Sequence, residues 1–174
     1  MPLIIDGYNL LYITGIVDEV SGQGGTFQRT REALLNFLAA SLPEAELEQT
    51  TIVFDAAEAP PGLPRTTSHR GMTVRYASDY SDADALIEKL IRDHHAPKSL
   101  LVVSSDHRVQ RAARRRRATF IDSDRWYAEL WQRRLAAECA AGHDGPDKPV
   151  IQLTAAEIEY WVKKFSDDSS RDQT

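Results

Sequence analysis

The stretch Leu100-Leu101-Val102-Val103-Ser104-Ser105-Asp106 decides the fold, because a short apolar, β-branched run here stops on small polar residues and an acid. Its length and its apolar character on both faces favour a central strand of a parallel sheet. Two other stretches repeat the pattern: Leu3-Ile4-Ile5 ends at Asp6-Gly7, read as a strand followed by a turn, and Thr51-Ile52-Val53-Phe54 ends at Asp55. Met72-Thr73-Val74-Arg75-Tyr76 alternates like a strand with one wetter face, and Ala118-Thr119-Phe120-Ile121 reads as another strand.

Helical patterns separate these runs. Thr26 to Leu42 carries Phe27, Leu34, Phe37 and Leu38 near one face, with Pro43 as a stop. Asp82 to His95 places Ala83, Leu86, Ile87, Leu90 and Ile91 inward, with Ser81 as the N-cap. Asp106 to Arg116 turns Val109, Ala112 and Ala113 inward and Arg108, Arg111 and Arg115 outward. Ser123 caps a helix to about Ala140, in which Trp126 and Trp131 are packing anchors, as is Trp161 in a final helix starting at the capping box Thr154-Ala155-Ala156-Glu157. Residues 56 to 71 contain Pro60, Pro61, Gly62 and Pro64 and read as a long loop. Strands alternating with helices predict an α/β, three-layer sandwich with a mostly parallel central sheet, whose ligands bind beyond the carboxyl ends of the strands. The predicted organisation is a domain over residues 1–140, a linker and docking helix over 141–165, and a disordered tail over 166–174.

Composition narrows the function classes. With 42% hydrophobic and 27% charged residues the chain is globular in character, and no apolar run approaches the roughly 18 residues of a membrane span. The start, Met1-Pro2-Leu3-Ile4-Ile5-Asp6, lacks the pattern of an export signal, so the expected location is cytoplasmic, away from membranes. A single cysteine, Cys139, excludes an internal disulfide and a Cys-rich zinc site and is read as structural. The net charge of -5 argues against a polyanionic substrate until its distribution is considered. From Asp106 to Arg117 six arginines face one acid, whereas Glu138 to the end holds eight acids against four bases.

Acids ending parallel strands share one sheet edge, so Asp6, Asp55 and Asp106 are expected to meet in space. Asp82 and Asp84 join them at a helix start, with Glu88 one turn further on the same face. Converging carboxylates repel unless they take up protons or a cation, and their hard oxygens suit Mg²⁺ or Mn²⁺. That chemistry points to phosphoryl transfer or hydrolysis. Each acid also has a purely structural reading as a cap or a partner of a helix dipole, clearest for Asp82. The arginine face of Arg108, Arg111 and Arg115 supplies phosphate contacts, and Arg65, His69 and Arg70 could close over single-stranded RNA with Tyr76 or Tyr80 as a stacking surface. Solvated helix arginines are the structural alternative.

Ile4-Ile5-Asp6-Gly7-Tyr8-Asn9-Leu10-Leu11 resembles the opening of YacP-like NYN-domain proteins, a bacterial branch of the PIN-like nuclease superfamily. Val53-Phe54-Asp55, Ser81-Asp82-Ala83-Asp84-Ala85-Leu86-Ile87-Glu88 and Val102-Val103-Ser104-Ser105-Asp106 resemble the family's further blocks in order. The resemblance implies a metal-dependent endoribonuclease, cutting single-stranded RNA in mRNA decay on the ribosome or in RNA processing. It implies Asp6, Asp84 and Asp106 as catalytic metal ligands, Asn9 as a polar neighbour that positions water or phosphate, and Glu88 as a ligand or a support to one. The middle block departs from the family's A-D-D at Ala85, which leaves the number of metals open. Two competing functions are an RNA- or ribosome-binding module with little cleavage and a phosphotransfer domain with Asp6 as nucleophile; the latter lacks the second Asp that usually follows two residues on.

Overall fold

Residues 1–14, 27–55 and 65–141 are described by the structure, a computed structural model. The described residues up to Ala137 form one compact unit. The sheet is built from β1 (Leu3–Asp6), β2 (Thr50–Phe54), β3 (Thr66–His69), β4 (Met72–Tyr76), β5 (Leu101–Val103) and β6 (Thr119–Ile121), in the order β3-β4-β2-β1-β5-β6. All neighbours run parallel except β3 and β4. The helices are α1 (Gly7–Thr14), α2 (Phe27–Ser41), α3 (Glu44–Leu47), α4 (Ala83–Asp93), α5 (His107–Arg116) and α6 (Ser123–Ala141).

Alternation along the central strands divides the core into two layers. Leu3, Ile5, Ile52, Phe54 and Val103 pack with Leu10, Leu11, Leu34, Leu38, Trp126 and Leu130, the layer of α1, α2 and α6. Ile4, Val53 and Val102 point the other way, onto Leu86, Ile87 and Ile91 of α4 and Val109, Ala112 and Ala113 of α5. Asp6 follows Ile5, so its side chain falls on the α4 and α5 side. The three-layer arrangement is the one the alternating pattern predicts.

Several local expectations are corrected. Asp6-Gly7 is not a strand followed by a turn: helix α1 begins directly at Gly7. A Cβ at Gly7 would lie 2.8 Å from the carbonyl oxygen of Val53 and closer still to the ring of Phe54, so absence of a side chain lets α1 fold tightly back on β2. Residues 66–69, within the expected loop, form an antiparallel edge strand. The two-residue turn Arg70-Gly71 closes it onto β4 with both residues at positive φ, 47° and 92°, as a primed hairpin turn requires. Asp82, rather than Ser81, caps α4 by accepting from the Ala85 amide at 2.7 Å. Trp126 is buried as expected, but Trp131 is 43% exposed, its ring stacked on Phe37 at 6.0 Å. Cys139 is exposed, which removes a packing role. The helix expected at Thr154, Trp161 and the tail lie outside the described residues.

Because the Val53 carbonyl is backbone of a central strand, it cannot move aside for an added methyl group. Gly7→Ala should therefore lose about 1–3 kcal/mol of stability, as overpacked core positions do. Urea denaturation reads this directly, and an unchanged midpoint would mean that the Phe54 ring relaxes at no cost.

Candidate active site

Asp6 is the last residue of β1 and only 6% exposed. Burial pushes its carboxyl up to about 6; the nearby charges of Asp84 and Asp106 add to this, while hydrogen bonds from Asn9 and Ser104 oppose it. The Asn9 amide donates to Oδ1 at 3.2 Å and the Ser104 hydroxyl donates to Oδ2 at 2.9 Å. Ser104 in turn accepts from the Asp106 amide at 3.1 Å, so β5 and the start of α5 are tied to Asp6 through one hydroxyl. Sequence reading passed over Ser104. Its signal is the small polar residue directly after a central strand, adjacent in register to the acid of β1.

Asn9 braces the same edge. Its Oδ1 accepts from the Ser105 amide at 3.0 Å and from the Ser123 hydroxyl at 2.7 Å, joining α1 to the end of β5 and to the first residue of α6. An amide N–H can only meet an acceptor, which fixes the flip of this side chain and leaves its NH₂ turned the other way. Ser105 completes the brace by accepting from the Ser123 amide at 3.0 Å.

Asp106 caps α5, its Oδ1 accepting from the amides of Arg108 at 2.6 Å and Val109 at 3.3 Å. The capping reading therefore holds for Asp106, alongside its charge acting on the other acids. Asp84, in the first turn of α4, has its carboxyl raised by partial burial first and by Asp106 second. Asp84 and Asp106 thus stand near enough to Asp6 for their charges to act on it. Asp55 follows β2 and is half-buried; the charges that act on Asp6 are those of Asp84 and Asp106.

Glu88 is turned elsewhere. The Arg108 guanidinium donates from Nε to Glu88 at 2.7 Å and from Nη1 to both oxygens of Asp82 at 3.1 and 3.2 Å. Arg108 was expected on the outward RNA-binding face; it instead lies between α5 and the acids of α4, because those carboxylates stand within its reach and attract it. Arg111, Arg114, Arg115, Arg116 and Arg117 are exposed. Arg65 pairs with Asp79 at 2.7 Å with both side chains in solvent, an ion pair worth little. Arg70 sits in the turn leading into β4, at the opposite end of the strands from Asp6. Tyr76 packs in the core layer, stacked on Phe54 at 6.1 Å, with the Arg31 guanidinium 5.7 Å above its ring.

The donor set suits a hard divalent cation, since carboxylate oxygens gather at one edge and those of Asp6 are largely removed from water. Among the described residues no group of three or more His, Cys, Asp or Glu side chains is placed to hold a metal ion. The oxygens of Asp6 and Asp106 are turned to the local donors named above. The set therefore fits in donor chemistry but not in its present arrangement, and ligation would require these carboxylates to turn from those donors to the ion.

No helix among the described residues is long and apolar enough to cross a membrane. Comparison with solved structures finds Rae1 (YacP) from Bacillus subtilis at a TM-score of 0.62 and 23% identity, covering 99% of this chain and 96% of that one. A mutant form of the same Bacillus subtilis protein matches at 0.61 and 22%, covering 80% of each chain. These likenesses establish the fold. No curated protein matches the sequence. The model of the YacP-like NYN domain matches residues 3–162, and on that extent the chain belongs to the YacP-like NYN domain family, a PIN-like nuclease family whose membership supports an RNA-directed nuclease role.

Proposed function

We propose that the chain is an endoribonuclease that cuts single-stranded RNA at the edge formed by Asp6, Asp84 and Asp106, using Mg²⁺ or Mn²⁺. The observation that supports this best is the buried carboxylate of Asp6 at the end of a central strand, joined to the start of the Asp106 helix through the Ser104 hydroxyl. Asp6, Asp84 and Asp106 would hold the ion, which supplies an activated water and charge stabilisation at the phosphodiester. Asn9 holds the end of β5 and the start of α6 against α1, and the NH₂ of its amide is the group it can offer to a phosphate oxygen. Arg111 and Arg115 recruit the strand: α5 begins at Asp106, so its exposed arginines offset the repulsion that an acid cluster alone would exert on RNA. Cytoplasmic mRNA on the ribosome is the proposed setting. The competing reading, an RNA-binding module with little cleavage, draws on the engagement of Glu88 and Asp82 by Arg108 and on Ala85. Incubation of a mixed single-stranded RNA pool with Mg²⁺ or Mn²⁺, against a chelator control, separates the two, and metal-dependent internal cuts decide for the nuclease.

In the absence of metal, Asp6 also ties stability to pH. Its carboxyl is raised from 3.8 to about 6, so between those values the folded protein holds a proton more tightly than the unfolded chain. Stability therefore falls as pH rises through this window, by no more than about 1.4 kcal/mol per pH unit. Asp6→Asn removes the charge and keeps the volume. In chelator it should be more stable than the parent at pH 7, with the difference shrinking towards pH 4; an Asn variant that unfolds would mean that the carboxylate has a purely structural role. Both Asp6→Asn and Asp106→Asn should lose RNA cleavage by roughly 100-fold or more, beyond what loss of a supporting partner costs. Asn is itself a good N-cap, so Asp106→Asn should keep α5 folded, as circular dichroism can check.

Arg111→Ala with Arg115→Ala should weaken RNA binding irrespective of sequence. The salt dependence should become shallower by about 0.7 in log–log slope for each phosphate that is no longer neutralised on a single strand. Unchanged affinity and slope would assign recruitment to other surfaces.

A further inference from the structure

Helices α4 and α5 lie side by side, start beside start and end beside end. At their starts Arg108 donates to Asp82 and Glu88; at their ends the Arg116 guanidinium donates to the carbonyl of His94 at 3.2 Å. Between these ties a cleft of about 350 Å³ opens, lined by Glu88, Ile91 and Arg92 from α4 and by Ala112, Arg115 and Arg116 from α5. On each helix the three stand at i, i+3 and i+4, so a single face of each forms one wall. Ile91 and Ala112 are buried and close the floor, while the three arginines are exposed and form the rim.

The positive charge of the rim is not matched by acids. Glu88, the one carboxylate of the lining, already accepts from Arg108 at 2.7 Å. Asp93, at the end of α4, accepts from the Lys89 ammonium, and Nε of Arg92 stands 3.6 Å from it, beyond hydrogen-bond reach. Among the described residues Arg115 has no hydrogen-bond or ion-pair partner. An arginine in the last turn of a helix suits its dipole, which accounts for one at each end. Three guanidiniums gathered from two helices around one cleft go beyond that, because they repel one another unless an anion stands between them.

We propose that this cleft is a phosphate-binding site that holds the backbone of an RNA strand where it runs away from the acidic edge along α5. This rests on the RNA-directed reading above and on no metal. The planar guanidinium offers paired N–H donors to phosphate oxygens. At about 1.5 Å of rise per residue, Arg115 lies about 14 Å along α5 from Asp106, and Arg111 stands one turn before it. A single nucleotide cannot bridge that distance, whereas a strand of several passes Arg111 on the way and reaches the cleft. Among the described residues the lining holds no aromatic ring on which a base could stack, so the contact reads backbone and is indifferent to sequence.

The test is fluorescence anisotropy of a labelled decauridylate with the full chain in chelator, over a range of salt concentrations. Arg92→Gln with Arg116→Gln removes two charges and keeps amide donors, one of which can still meet the His94 carbonyl. This variant should bind roughly tenfold more weakly. Its log–log salt slope should be shallower by about 1.4, that is about 0.7 for each of two phosphates. Arg29→Gln with Arg125→Gln, which removes the same charge from exposed positions on α2 and α6, should bind as the parent does. If circular dichroism shows that the cleft variant fails to fold, Arg92→Gln alone carries the test, since its side chain is 68% exposed, with half the change in slope. Unchanged affinity and slope in the cleft variant, or an equal loss in both double variants, would overturn the inference and leave the RNA-directed reading standing. Inorganic pyrophosphate displacing the decauridylate at comparable affinity would make the cleft a small-anion site and overturn the strand assignment. No binding of RNA by the parent would overturn both the inference and the reading beneath it.

Discussion

Keeping a carboxylate in the nearly closed end of a central strand is the constraint on which the rest of this structure depends. A buried charge is costly unless hydrogen-bonded or neutralised, and Asp6 is 6% exposed. The neighbouring elements are arranged to meet that cost: α1 turns back at once and offers the Asn9 amide, while β5 ends on a serine whose hydroxyl reaches across to the acid. The same serine accepts from the Asp106 amide, so a chain of polar contacts runs from α5 through β5 to β1. Gly7 belongs to this arrangement. Only a residue without a side chain lets α1 start immediately after the acid and still pack against Phe54.

The site is divided electrostatically along α5. At its N-terminus Asp106 accepts from two helix amides, where a negative charge is favoured; its last turn carries Arg114, Arg115 and Arg116, where positive charge is favoured. One helix thus presents an acidic end to the sheet edge and a basic surface to solvent without working against its own dipole. The net charge of -5 hides this separation, which sets where a polyanion can approach.

The sheet was legible because central parallel strands are apolar on both faces, and Leu3-Ile4-Ile5, Ile52-Val53-Phe54 and Leu101-Val102-Val103 carry that signature. Strand β3 was not. Thr66-Thr67-Ser68-His69 buries little and is specified by its ladder to β4 and by the Arg70-Gly71 turn, neither of which has an apolar pattern. Helix α1 was missed because a glycine after a strand usually signals a turn; its reason here is a close approach to β2 that no local rule encodes. At the site, order along the chain put Asp6 and Asp106 at the ends of neighbouring strands, where the Ser104 hydroxyl joins them. Helical spacing, however, grouped Arg108 with Arg111 and Arg115, because it counts only neighbours on the same helix and Arg108 is claimed by acids 20 and 26 positions earlier.

The two edges of the sheet carry a consequence of a different kind. Edge strands present unpaired backbone groups and invite intermolecular strand addition, the route to amyloid-like stacking. In the sheet described, one edge is β3, short and polar, flanked by the exposed Arg65 and Arg70 and anchored by His69 to Asn36 at 3.1 Å; the other is β6, only three residues long. The apolar strands that would polymerise most readily are enclosed between them. Among the described residues, neither border of the sheet therefore offers a long apolar edge for another strand to extend.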